Sequence, residues 1–137
     1  MPDWLVAIAV HPVTLLAVGG GAGANARYWL GKVVAWAQGD VEFPFATLLI
    51  NVTGSVVLGF VASSFLRHPD PAQRAWYLLL GTGFCGGFTT FSTFSLEAFE
   101  LVRDGKGWLA AVYAAGSVLA GVFGVWLAFK LAGPPHG

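Results

Sequence analysis

The run Gly81-Thr82-Gly83-Phe84-Cys85-Gly86-Gly87-Phe88-Thr89-Thr90-Phe91-Ser92-Thr93-Phe94-Ser95 decides how this chain folds. It lies inside residues 75–96, a stretch without Asp, Glu, Lys or Arg and long enough to cross a bilayer. Yet it is a poor helix. Each glycine costs up to about 1 kcal/mol relative to alanine in a helix, and Thr and Ser draw hydrogen bonds away from the backbone ladder. Carbonyls freed in lipid are expensive, so an interruption at Gly86 and Gly87 must be buried in protein or line a polar cavity. Unwound carbonyls at such breaks can hold a cation. Glycines also serve close helix packing, but Gly81, Gly83, Gly86 and Gly87 cluster with Thr89 and Thr90 more tightly than packing alone requires.

Working outward, three more charge-free windows appear, at residues 4–26, 43–66 and 107–129. At about 1.5 Å rise per residue, some 20 residues cover the roughly 30 Å hydrocarbon core. Of the 137 residues, 56% are hydrophobic and only 10% are charged, against about a quarter in an average soluble domain. Too little polar sequence remains to coat four buried helices in water. The expected fold is therefore an all-α membrane protein with one domain of four transmembrane helices, the third broken near its middle. The spans are placed at 12–36, 44–66, 71–101 with the break at 85–89, and 108–131. The first has no basic residue before its apolar run and more spans follow it, so it reads as retained rather than as a secretion signal.

Local signals set these limits. Pro12 suits a first helical position, and residues 4–10 then form a membrane-surface lead-in. Pro44 introduces the second helix, and Arg67-His68-Pro69 closes it, because a residue before proline is biased out of helical geometry. Asp70-Pro71-Ala72-Gln73 reads as a capping box. Gly133-Pro134-Pro135 stops the fourth helix, and Trp29, Trp36, Trp76, Tyr77 and Trp108 lie near helix ends, where interfacial aromatics belong.

Four spans put Arg67, Arg74 and Lys130 on one side and Arg27, Lys32, Arg103 and Lys106 on the other. An excess of Lys and Arg normally fixes orientation, and this near balance predicts weakly specified, dual topology. The alternative is a single orientation set by features other than charge. A chain inserted both ways can pair with its inverted twin as an antiparallel homodimer, reproducing what inverted repeats achieve in longer chains.

Zero net charge points to no nucleic-acid partner. Cys85 is the only cysteine, which excludes an internal disulfide and a multi-cysteine metal site. His11, His68 and His136 sit at window edges or in the tail and read as solvated. Phe91 and Phe94, three apart, share one helix face. Ser92, Thr93 and Ser95 interleave with them, Asn51 lies inside the second span, and Tyr113 and Ser117 form an i, i+4 pair on the fourth. Aromatic edges are positive, and edges with donor side chains can stabilise a small anion and replace part of its hydration shell.

Several motifs together resemble the CrcB, or Fluc, family of bacterial fluoride channels. They are Gly86-Gly87-Phe88-Thr89-Thr90-Phe91-Ser92-Thr93-Phe94-Ser95, Asn51-Val52-Thr53-Gly54-Ser55, Gly23-Ala24-Asn25-Ala26-Arg27-Tyr28, and Tyr113 with Ser117. The resemblance implies an antiparallel dual-topology homodimer with two fluoride pores in the bacterial inner (plasma) membrane. It implies passive fluoride export that lowers cytoplasmic toxicity, after hydrogen fluoride has entered and dissociated. It also implies a structural sodium ion at the dimer centre, held by the backbone carbonyls of Gly86 and Thr89. By position, Phe91 and Phe94 match the pore-lining aromatic pair, Asn51 the pore asparagine, and Tyr113 and Ser117 a polar track; Thr90 is placed in the pore with them. Glu97 and Arg27 match residues of the vestibule or gate. One helical turn past Ser117, where some members continue the track, this chain has Gly121.

Other function classes fit less well. A proton-coupled drug exporter needs a carboxylate deep in a span, and the first, second and fourth windows contain none; Glu97 lies near the end of the third. A non-transporting scaffold packed through Gly19 and Gly23 leaves Asn51 and the Ser/Thr-rich run unexplained. An enzyme is the weakest option, because no nucleophile with a base, metal cluster or phosphate loop appears. Gly19-Gly20-Gly21-Ala22-Gly23 lacks the preceding strand and following Lys of a nucleotide site.

Overall fold

The computed structural model describes residues 11–65 and 70–133, and they are helical with short connections. Helix α1 spans Pro12–Gln38; His11 caps it by accepting the Val13 N–H, and Gly39, at φ 63°, ends it. Helix α2 spans Phe45–Phe65. Helix α3 is a continuous rod of three parts: an α-helical turn Pro71–Trp76, a π-helical segment Tyr77–Cys85 and a final turn Gly86–Phe88. Asp70 caps its start by accepting the Ala72 N–H. Helix α4, Phe91–Arg103, follows the break, and Gly105, at φ 76°, turns the chain into α5, Gly107–Leu131. Residues 4–10, Arg67-His68-Pro69, Pro134-Pro135 and His136 lie outside the described residues.

Helices α2 and α5 are each long and apolar enough to cross a membrane by length and composition. At about 1.5 Å per residue the 27-residue α1 is longer still, though Arg27 and Lys32 fall in its second half.

The interruption lies later than the sequence places it. Expected over 85–89 and centred on Gly86 and Gly87, it falls at Thr89 (φ −82°, ψ 159°) and Thr90 (φ −148°, ψ 115°), while Gly86 keeps helical angles of −63° and −39°. Gly87 is there for contact: a Cβ on it would overlap the Gly20 carbonyl of α1. At the break Thr89 still donates its N–H to the Cys85 carbonyl, which its Oγ1 shares at 2.8 Å; the Thr90 N–H turns to Asn51 Oδ1 instead, and Thr90 Oγ1 caps α4.

Small residues bring the backbones together. On α1, a Cβ at Gly19 would meet the Leu79 carbonyl and one at Gly23 the Phe84 carbonyl. On the other side of the molecule, Gly59 faces Ala128 and Val125, and Gly124 faces Val56, forming the α2–α5 seam. Gly54 faces the Thr89 methyl, so α2 receives the break. Large side chains mostly point outward, among them Val13, Val18 and Trp36 of α1 and Leu119, Val122 and Phe123 of α5. The buried cluster is small: Leu101, Ala110 and Tyr113, with Phe43, Leu48, Phe94, Ala98 and Leu109 against it.

Candidate functional site

The break at Thr89–Thr90 leaves backbone groups that a continuous helix would have paired, and neighbouring helices take them up. Asn51 of α2 holds both polar groups of Thr90: its Oδ1 accepts the Thr90 N–H at 2.8 Å and its Nδ2 donates to the Thr90 carbonyl at 3.1 Å. Arg27 of α1 donates through Nη1 to the Thr89 carbonyl at 3.4 Å. Thr90 Oγ1 accepts the Thr93 N–H at 3.2 Å, and lies 3.0 Å from Thr93 Oγ1 and 3.2 Å from Ser92 Oγ. Three helices thus meet on two residues.

Beside the break is a cavity of about 510 Å³. Asn51, Thr89, Thr90, Phe91, Phe94 and Ser117 line it, together with Ser55, Thr82, Tyr77, Cys85 and Gly86. None of its lining residues is Asp, Glu, Lys, Arg or His. Ser117 Oγ is buried without a hydrogen-bond partner among the described residues, so a donor remains available there. The rings of Phe91 and Phe94 lie 5.7 Å apart and tilted by 37°, and Phe91 is 79% exposed. The N-terminus of α4 lies at the same place and carries the positive end of the helix dipole.

Of the residues singled out in the sequence, the structure gathers Asn51, Thr90, Phe91, Phe94 and Ser117 around this cavity, with Gly86 and Thr89 at its edge. Tyr113 is elsewhere. It is fully buried, its ring 5.0 Å from that of Phe94, and its hydroxyl donates to Glu97 Oε2 at 2.7 Å. Thr47 donates to Glu97 Oε1 at 2.8 Å, so both carboxylate oxygens are held by hydroxyls from α2 and α5. Glu97 borders a second cavity of about 340 Å³ with Gln38, Glu42, Glu100, Asp104 and Lys106. Lys106 pairs with Glu42 there, tying the α4–α5 turn to the α1–α2 connection.

Two contributors are not evident from sequence. Thr47 is buried against Glu97. Ser55 Oγ, which donates to the Asn51 carbonyl at 2.7 Å, stands where a Cβ on Gly121 would come within 3.3 Å of it. A hydroxyl from α2 therefore occupies the level at which α5 has only glycine.

Comparison with known proteins gives a consistent answer. The family model described as CrcB-like protein, Camphor Resistance (CrcB), matches residues 14–129. A protein of Pyrococcus horikoshii named fluoride-specific ion channel FluC is 41% identical over 120 residues, covering 88% of this chain and 94% of its own. Fluoride-specific ion channel FluC 2 of Nitrobacter hamburgensis is 45% identical over 117 residues, 85% of this chain and 93% of its own. The FluC protein of Pyrococcus furiosus is 43% identical over 123 residues, 90% and 97%.

Proposed function

The chain belongs to the CrcB-like protein family, and on that premise we propose that it is a fluoride-selective membrane channel, passing the ion down its gradient out of the cell and so lowering fluoride toxicity. It is a transporter, not an enzyme. The observation that carries the reading is the cavity beside the break, lined by hydroxyl, amide and aromatic groups with no fixed charge among them. Neutral donors can replace the hydration shell of a small anion without trapping it, as conduction requires. Phe91 and Phe94 line the cavity with rings whose edges are positive, Asn51, Thr90 and Ser117 supply polar groups, and the start of α4 adds a favourable dipole. Tyr113 acts from behind Phe94, Glu97 belongs to the approaches, and Arg27, expected with it in the vestibule or gate, supports the break through the Thr89 carbonyl.

The finer parts of the proposal concern assembly. All four spans cross the membrane, with α3 and α4 together forming the third, and two copies pack in inverted orientation in the plasma membrane. The nearly balanced basic residues and the exposed Phe91 support this reading. A structural sodium ion would lie between the two copies, held by the backbone carbonyls of Gly86 and Thr89. The chain's donors fit it: the Thr90 N–H that would return to the Gly86 carbonyl goes instead to Asn51, and neutral carbonyl oxygens suit a hard cation. The Thr89 carbonyl receives Arg27 on one side and has a second lone pair for the ion. Bound there, sodium supplies positive charge at the negative end of α3.

Reconstitution in fluoride-loaded liposomes tests the proposal. The protein is expected to release fluoride rapidly, and the Phe91→Ile, Phe94→Ile double variant to release little. Retention of fluoride by folded wild-type protein, or undiminished release by the double variant, would overturn it.

A further inference from the structure

We propose that Asn51 is a positioning residue that acts through the peptide of Thr90, fixing where α3 ends and α4 begins, over and above any contact of its own with the conducted ion. The proposal rests on the channel reading. Its basis is the two-point grip, 2.8 Å from the Thr90 N–H to Oδ1 and 3.1 Å from Nδ2 to the Thr90 carbonyl.

This grip uses the acceptor of Asn51 and one of its two amide hydrogens. The direction of the side-chain amide is thereby forced, because only Oδ1 can meet the Thr90 N–H. The second Nδ2 hydrogen is left over on a side chain that lines the cavity. Aspartate could accept from Thr90 but would oppose the Thr90 carbonyl, and leucine could do neither.

The grip has two consequences along the chain. The Thr90 N–H is withheld from the Gly86 carbonyl four residues back, which stops α3. With its peptide held, Thr90 turns Oγ1 to the Thr93 N–H, which starts α4 and sets the direction of Phe91 and Phe94. Thr90 is buried, so the clamp works out of water, where an unpaired peptide group is costly. Gly54, one turn along α2, leaves room for the Thr89 methyl and lets the helices approach closely enough for the grip.

Replacing the Thr90 backbone N–H by an ester oxygen, through incorporation of the α-hydroxy analogue of threonine, removes one arm and leaves every side chain unchanged; it also makes the Thr89 carbonyl a poorer acceptor, so non-additivity with Asn51→Ala, rather than the loss by itself, is the readout. Fluoride efflux from this protein is expected to fall by about tenfold or more, as in Asn51→Ala, and the combined change is expected to be little worse than either alone. Wild-type efflux through the ester protein, or multiplicative losses in the combination, would show that Asn51 acts only by its own contact and would overturn the proposal. Amide hydrogen exchange decides independently of transport. The Thr90 N–H is expected to be protected in the wild type and to exchange at least about tenfold faster in Asn51→Ala, with the α2 amides unchanged. Equal protection in both would overturn the clamp even if conduction were confirmed, whereas absence of wild-type fluoride flux would sink the channel reading and leave this measurement standing.

Discussion

Gly86 and Gly87 are adjacent and face opposite circumstances. A Cβ at Gly87 would overlap the Gly20 carbonyl, whereas one at Gly86 meets nothing within 4 Å. Gly87→Ala is therefore expected to cost about 1–3 kcal/mol through overpacking, and Gly86→Ala to be tolerated or slightly stabilising in the single chain. Thermal unfolding in detergent measures both. Tyr113→Phe removes the donor to Glu97 Oε2 and is expected to cost about 1 kcal/mol, more if the carboxylate is left without another donor. Ser55→Ala, next to Gly121, is expected to slow fluoride efflux while leaving unfolding nearly unchanged. At this scale the sequence is informative where a residue is out of place for lipid, as with Asn51, Thr90 and Ser117. It is silent on Thr47 and Ser55: a single threonine on α2 looks ordinary until α4 is known to bring Glu97 to it, and a serine that bonds back to its own helix looks ordinary until the rotation of α2 against α5 is known.

The break between α3 and α4 shows what propensity can and cannot tell about an element. Glycines mark the neighbourhood correctly, since a weak helix is needed there. They do not mark the residue, because Gly87 is required by α1 and the exit from helix is made by Thr89, Thr90 and Asn51, whose residue types also sit within helices in this chain, as Thr53 and Asn25 do. Thr90→Val keeps the shape and loses the cap, and α4 is expected to lose about 1 kcal/mol. Hydrogen exchange at Phe91–Thr93 reads that loss locally. The π-helical segment Tyr77–Cys85 carries no sequence signal, and nothing in its local residues explains its nine-residue length. The starts of α1 and α3, by contrast, are written in Pro12, Asp70 and Pro71.

For the whole molecule, the charge count predicts the most exposed arrangement. Single cysteines placed at Asp40 and Asp104, both exposed and in helix connections, test the inverted pairing. An impermeant maleimide on intact cells is expected to label about half of each, and the rest after permeabilisation. Labelling of all or none would leave one orientation. The all-helical, membrane-capable class is legible because the charge-free windows exceed what a small soluble domain can hide, whereas the pairing of α1 with α3 and α2 with α5 depends on contacts that no window encodes. Those pairings rest on glycine rather than on large side chains, which lie outside. The evolutionary consequence is an inverted map of mutability. Every missense change at Gly19, Gly23 or Gly87 adds an atom where another backbone already stands, while the bulky residues on the outer faces of α1 and α5 can exchange among apolar types. Sequence drift in this protein should therefore run through its largest residues and stall at its smallest.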